Sequence, residues 1–251
     1  MNALYKCAIV GVGGGRASGH AEAYQHINRG QLVAVSTRRQ DKLDAFGEQV
    51  GVTVRYTDSR EMFAREQPDL VHVNTPPLVR LEVFEAAEEA GIPAVIVEKP
   101  LAIQWEDFLA IQDFARSSNV KIAINHQLQF HPRRMMLQRL VSEGKICEVR
   151  FIDASARMNM AYQGTHTLQA IGAFNPVGRA TSVFGQVGGV DGLQETPGRH
   201  YASDEVQGAI IYDNGVQALL RCGTNAPHAG DGTINTHKRV TVYGTRGFIQ
   251  W

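Results

Sequence analysis

The chain has 251 residues, 43% of them hydrophobic and 20% charged, enough apolar material for one large domain or two small ones. Its 25 basic side chains balance its 25 acidic ones, which argues against a general nucleic-acid or anionic-membrane partner, since either would need a basic excess. No run approaches about 18 consecutive apolar residues, so no membrane-spanning helix is expected.

The opening residues MNALYKCAIV lack an apolar signal region with a cleavage site. Cys7, Cys147 and Cys222 are far apart and form neither a CxxC pair nor a metal-ligand spacing. The expectation is a cytoplasmic protein with buried or neutral thiols.

The first half alternates. Strand-type runs fall at 6–10, 31–36, 52–56, 70–73, 94–97 and 121–124, and most are separated by amphipathic helical stretches. Asp58 and Glu61 are spaced as a capping box. In LEVFEAAEEA, Leu81, Phe84 and Ala87 recur three apart on one face, and Gly91 stands where a helix-ending glycine belongs. Nearly all-apolar strands alternating with helices predict a parallel sheet covered on both faces. The second half changes rhythm. After a helical stretch at about 132–143, strand patterns dominate at 148–158, 180–189, 205–225 and 239–251. Asn214-Gly215 is a strong hairpin signal, and Thr245 to Gly247 predicts a second turn. The expected architecture is α/β: a nucleotide-type domain over 1–124, then an α+β domain over 125–251 with a mostly antiparallel sheet.

The first apolar run ends in a glycine cluster, AIVGVGGGR. Dinucleotide-binding turns read G-x-G-x-x-G, so that backbone amides and a helix N-terminus meet the pyrophosphate. Gly11 and Gly13 fit that pattern. Arg16 takes the third glycine position, and Gly14 and Gly15 are extra, which makes the loop look one residue longer. The backbone from Gly11 through Val12, Gly13, Gly14 and Gly15 to Arg16 is the predicted cradle. A tight turn with no ligand is the competing reading. The position of the cluster, after the first strand of an alternating chain, favours the cradle. At the end of the second strand an acid would select NAD. The chain instead reads Ser36-Thr37-Arg38-Arg39. Hydroxyls and guanidiniums suit an added 2′-phosphate, which favours NADP over NAD.

Three further stretches, DLVHVNTPP at 69–77, AVIVEKPLA at 94–102 and YGTRGFIQW at 243–251, together with the glycine loop, resemble the glucose–fructose oxidoreductase / inositol dehydrogenase (Gfo/Idh/MocA) family over essentially the whole chain. The resemblance implies a Rossmann dinucleotide-binding domain ahead of the α+β domain. It also implies NAD(P)-dependent oxidation or reduction of a small polyhydroxy substrate such as a sugar or cyclitol. It assigns the acid–base role to Lys99, with Glu98 orienting its surroundings, and places Thr75 and Pro76 beside the nicotinamide. It raises the expectation of a cis bond before Pro100. Lys99 would either take the hydroxyl proton itself or hold the hydroxyl while a histidine relays the proton. That histidine is His166.

The family's aspartate, four residues before the histidine on one helical face, is replaced by Tyr162. Gln169 stands where a downstream acid is expected and Gln129 where an arginine is expected. Asn125, Gln127, Tyr162 and Gln163 are candidate substrate contacts, and His126 is a further polar residue of that stretch. No metal spacing links the other histidines, His20, His26, His72, His131, His200, His228 and His237, so no metal is predicted. Family members continue past the 245–247 turn, which leaves a fragment or a naturally short form open. The resemblance implies a homodimer or larger oligomer joined through the open face of the second sheet. The rival to an enzyme is a nucleotide-binding sensor or regulatory protein of the same fold.

Overall fold

The computed structural model describes residues 4–193, 200–227 and 238–251. The chain divides into two compact units, Met1–Asn125 and His126–Trp251, so Asn125 closes the first unit rather than opening the second.

In the first unit the strands are β1 (Tyr5–Val10), β2 (Gly30–Ser36), β3 (Arg55–Tyr56), β4 (Leu70–Val73), β5 (Ala94–Glu98) and β6 (Lys121–Asn125). The helices are α1 (Gly15–Ala23), α2 (Gln40–Val50), α3 (Ser59–Glu66), α4 (Arg80–Glu89) and α5 (Trp105–Ser117). The sheet runs β3-β2-β1-β4-β5-β6, and every neighbouring pair is parallel. The order reverses beside β1, the point at which open α/β sheets bind ligands.

The burial pattern explains why these strands read as continuous apolar runs. Ala8 and Val10 of β1 join Phe63, Phe84 and Ile111 in one core, while Ile9 joins Leu43 and Phe46 in another. Alternate residues thus pack against the helices on opposite faces. The 52–56 run forms only the two-residue β3, because Val52 packs into the second core and does not extend the strand. Asp58 caps α3 by accepting from the Arg60 amide at 2.8 Å. Gly91, at φ 71°, ends α4 in a Schellman turn, with Ile92 N donating to Ala87 O at 2.8 Å.

In the second unit, α6 (Pro132–Ser142) and α7 (Thr165–Phe174) accompany β7 (Val149–Ala156), β8 (Ala180–Gly188), β9 (Glu205–Tyr212), β10 (Gln217–Cys222), β11 (Lys238–Gly244) and β12 (Gly247–Gln250). The sheet order is β12-β11-β7-β10-β9-β8. Four neighbouring pairs are antiparallel, but β7 and β10 are parallel, so the sheet is mixed at its centre. The Asn214-Gly215 hairpin joins β9 to β10, with Gly215 at φ 81°. Ile152, Ala154, Leu220 and Val242 on one face bury against Ala170, Ile171 and Phe174 of α7. The other face stays open: Phe184 is 81% exposed, and Leu219, Tyr243 and Phe248 are exposed as well. In the middle of that face, Asp153 accepts from Arg221 at 2.7 Å and from Arg239 at 2.7 Å. No helix among the described residues is long and apolar enough to cross a membrane.

Candidate active site

The glycine loop starts where β1 meets its neighbours. The Gly11 amide donates to Ser36 O at 2.8 Å, which ties the ends of β1 and β2 together. Gly11 has φ 90°, and a Cβ there would lie 2.8 Å from Asn74 C and Thr75 N. Only glycine allows that approach. Gly13, Gly14 and Gly15 are different: a Cβ on any of them would meet nothing within 4 Å. Protein packing does not require those three glycines. They leave bare, exposed backbone at the start of α1, whose N-cap Gly14 offers no side chain to its first amides. This is a surface a pyrophosphate can approach closely. Arg16 is exposed at the same helix start, whereas the Val12 side chain is buried in the core, so only its backbone is available to a ligand.

Six of the predicted residues, Gly11, Ser36, Thr37, Arg38, Thr75 and Pro76, line one cavity of about 170 Å³ in the first unit. Ser36 is buried and Arg38 exposed. Arg39 pairs with Asp41 at 2.7 Å, while Arg38 makes no ion pair among the described residues. At the rim of the β4 end, both polar atoms of the Asn74 amide and the Thr75 hydroxyl are buried without a hydrogen-bond partner among the described residues. Unsatisfied buried polar groups beside a cradle of bare glycines fit a polar ligand such as a dinucleotide.

At the end of β5, Glu98 and Lys99 are 8% and 6% exposed. The Lys99–Pro100 bond is cis. Glu98 accepts from Asn125 Nδ2 at 2.7 Å, across the β5–β6 register, and bonds His20 Nε2 at 3.0 Å. Burial, the largest single influence, would raise its carboxyl, but the His20 and Asn125 hydrogen bonds together with the His20 and Arg16 charges hold it below the ordinary carboxylate range. Burial pushes the Lys99 ammonium down. The Glu98 charge opposes that shift, and the Arg16 and Arg80 guanidiniums add to it. A lysine moved in this direction is a better proton acceptor near neutrality than a solvated one.

Two supporting residues were not legible in the sequence. Arg80 is 1% exposed and donates to Thr75 O, at 3.2 Å from Nε and 3.1 Å from Nη2, and also to Pro100 O. It therefore clamps the Thr75–Pro76 turn to the Lys99–Pro100 turn, and burial lowers its pKa to about 10. His72, in β4, bonds Tyr24 Oη at 2.7 Å and packs against the His20 ring at 4.9 Å. Burial, with the nearby His20, lowers its pKa to about 4, and Glu98 opposes the shift only in part. An apolar strand pattern gives no sign that its one histidine belongs to a polar chain reaching Glu98.

In the second unit, His166 is 1% exposed at the start of α7. Its Nδ1 lies 3.3 Å from Nδ1 of His126, and the two rings meet edge to face. Residues Met160–Gly164 form a π-turn, with Gly164 N donating to Asn159 O, so Tyr162 lies in that turn and His166 in the first turn of the α-helix that follows. The Tyr162 ring packs against His200 at 5.1 Å.

Gln163 is 6% exposed and its Oε1 has no hydrogen-bond partner among the described residues. Gln127 is exposed. Gln129 and Gln169 bond each other at 2.6 Å, and Arg134, fully buried and stacked on Trp251, donates to Gln169 Oε1 at 3.2 Å. His228 and His237 lie outside the described residues. Among the described residues, no group of three or more His, Cys, Asp or Glu side chains is arranged to hold a metal ion.

A family model described as an oxidoreductase family with an NAD-binding Rossmann fold matches residues 5–126. The D-apiose dehydrogenase of Paraburkholderia graminis is 26% identical over 142 residues, 57% of this chain and 37% of that protein. The D-glucoside 3-dehydrogenase of Escherichia coli is 30% identical over 151 residues, 60% of this chain and 43% of that protein. The chain thus aligns with about two fifths of the length of each of these two relatives. The scyllo-inositol dehydrogenase of Lactobacillus casei, solved with NAD(H) and scyllo-inositol, superposes with a TM-score of 0.79 at 20% identity, covering 99% of this chain and 76% of that one. That likeness speaks for the fold. Residues 5–126 thus match the NAD-binding Rossmann domain of the Gfo/Idh/MocA oxidoreductase family.

Proposed function

We propose that the chain is an NAD(P)-dependent dehydrogenase or reductase acting on a CH–OH group of a sugar-like or cyclitol-like compound, with NADP(H) preferred. The observation that carries this reading is the buried Lys99, whose ammonium is driven down by burial at the end of β5, in the same unit as the glycine cradle. Relatives named for D-apiose, D-glucoside and inositol support the substrate class. When bound, the dinucleotide supplies a hydride acceptor or donor.

The chain's own residues do the rest. The backbone from Gly11 to Arg16 holds the pyrophosphate. Ser36, Thr37 and Arg38 hold the adenosine ribose and its 2′-phosphate, and the absence of an ion pair at Arg38 among the described residues supports that part. Thr75 and Pro76 lie on the nicotinamide side. Lys99 and His166 handle the hydroxyl proton, and Glu98, fixed by His20 and Asn125, orients Lys99. Asn125, Gln127, Tyr162 and Gln163 are proposed substrate contacts. A second copy of the chain covers the open face of the second unit's sheet.

The test is a titration of the purified protein with NADPH and NADH, followed by nicotinamide fluorescence, and then a polyol screen with the tighter dinucleotide. NADPH binding well ahead of NADH, with turnover of a polyol, is the expected result. Binding of neither removes the dehydrogenase reading. A sensor of the same fold is a second reading. It is supported by the neutral Gln129–Gln169 pair at positions where the resemblance expects charges, and binding without turnover would select it.

A further inference from the structure

We propose that His126 is a positioning residue for His166: it fixes the His166 ring in the tautomer that carries its proton on Nδ1. The inference rests on the reading above, in which His166 exchanges the substrate proton. It starts from one contact, the 3.3 Å approach of the two Nδ1 atoms. A neutral imidazole has one N–H and one lone pair. A hydrogen bond between two Nδ1 atoms therefore forces opposite tautomers on the two rings. Of the two arrangements, His166 donating or His126 donating, only the first suits a His166 that takes the alcohol proton at Nε2, as in the reading above. The rings meet at 83° with centroids 5.1 Å apart, and His166 is 1% exposed within α7. His166 is thus enclosed, whereas the half-exposed His126 stands just before the short helical turn Gln127–Phe130.

With His166 donating from Nδ1, its Nε2 presents a lone pair for the alcohol. In the oxidation direction the O–H proton passes to Nε2. The C–H bond breaks with its electron pair, which leaves as hydride to the dinucleotide, and the C=O bond forms. His166 becomes an imidazolium that keeps its Nδ1–H bond to His126. The partner ring thus does for His166 what a carboxylate does in a serine-hydrolase triad, where a second group holds the catalytic imidazole in one tautomer. The sequence fits this assignment, because Tyr162 occupies the position where the family resemblance expects an aspartate.

The experiment compares wild type, His126→Phe and His126→Asn. Long-range ¹⁵N–¹H spectra report the His166 tautomer, and steady-state kinetics are run with the best polyol from the screen. In wild type, His166 should be the Nδ1–H tautomer. His126→Phe should shift it towards Nε2–H and lower kcat on the order of 10–100-fold, with KM and dinucleotide Kd changed by less than about threefold. His126→Asn puts an amide oxygen near the Nδ1 position and should restore both the tautomer and most of kcat.

An Nε2–H His166 in wild type overturns the proposal. So does a tautomer or a kcat that is indifferent to His126→Phe, and so does an asparagine variant no better than the phenylalanine one. If wild type turns over no polyol, the dehydrogenase reading falls, and the tautomer comparison still decides the His126–His166 assignment.

Discussion

Lys99 owes its proposed chemistry to its surroundings. On a solvated surface a lysine is protonated at neutral pH. At 6% exposure, with Arg16 and Arg80 nearby, the charged form is disfavoured. Lys99→Ala should therefore abolish turnover while leaving dinucleotide affinity within a few fold; normal turnover in that variant would remove its proton-handling role. Arg38 makes a separate prediction about recognition. Arg38→Ala should weaken NADPH on the order of 10-fold or more, the scale of a lost charge-assisted phosphate contact, and NADH by less than twofold. Equal loss of both would sink the 2′-phosphate assignment.

His72 titrates in the opposite sense from a histidine held as a cation. Its folded pKa of about 4 lies below the ordinary value of 6.5, so between those values the unfolded chain binds more protons. The stability it contributes is complete above pH 6.5 and is lost as pH falls towards 4, by about 3 kcal/mol. Glu98 acts in a lower window, because its depressed pKa gives stability that is present above its unfolded value and lost only as pH falls through its folded value. Urea midpoints measured from pH 7 to 4 should fall steeply for the wild type and more gently for His72→Phe. Parallel slopes would show that His72 does not carry the loss.

The elements meet at the end of β1, and there the glycine loop serves two purposes. Gly11 lets the chain pass hard against the Asn74–Thr75 backbone, while Gly13 to Gly15 face open space. The two kinds of glycine should therefore respond differently to alanine. Gly11→Ala adds a Cβ at φ 90° and 2.8 Å from backbone atoms, and should destabilise the protein by about 2–3 kcal/mol. Thermal unfolding measures that directly, and a Tm within 1–2 °C of wild type, against the roughly 2–4 °C expected per kcal/mol for a protein of this size, would show that the backbone yields instead. The other connections follow local chemistry: Asp58 starts α3, Gly91 ends α4 and Asn214-Gly215 turns β9 into β10. Each was legible because a cap or a tight turn is set by a few neighbouring residues. The π-turn at Met160–Gly164 was not, since nothing in MAYQG distinguishes it from the α-helix it leads into.

For the molecule as a whole, the second unit raises the question of what covers its sheet. All nine residues of β8 are exposed, and Phe184, Leu219, Tyr243 and Phe248 lie on the open face around the Asp153–Arg221–Arg239 cluster. An apolar face of this kind marks an association surface. If a second copy covers it, Phe184→Glu should shift the protein to monomers in light scattering while nucleotide affinity in the first unit stays unchanged. An unaltered mass would remove this face from the assembly.

By itself the sequence determined the alternation of parallel strands and helices, the change to a strand-rich second half, the glycine cradle and the Glu98-Lys99-Pro100 strand end. These depend on periodicity and short-range spacing, which survive in one dimension. Tertiary structure alone decided which polar residues meet. Arg80 clamps two turns, His20 reaches Glu98 from α1 and packs on His72 of β4, His126 meets His166, and Gln129 meets Gln169. The members of these contacts are separated by 20 to 78 positions where they cross the fold. Burial makes them matter, because a polar group removed from water must find its partner inside the protein, and the chain's path decides which partner that is.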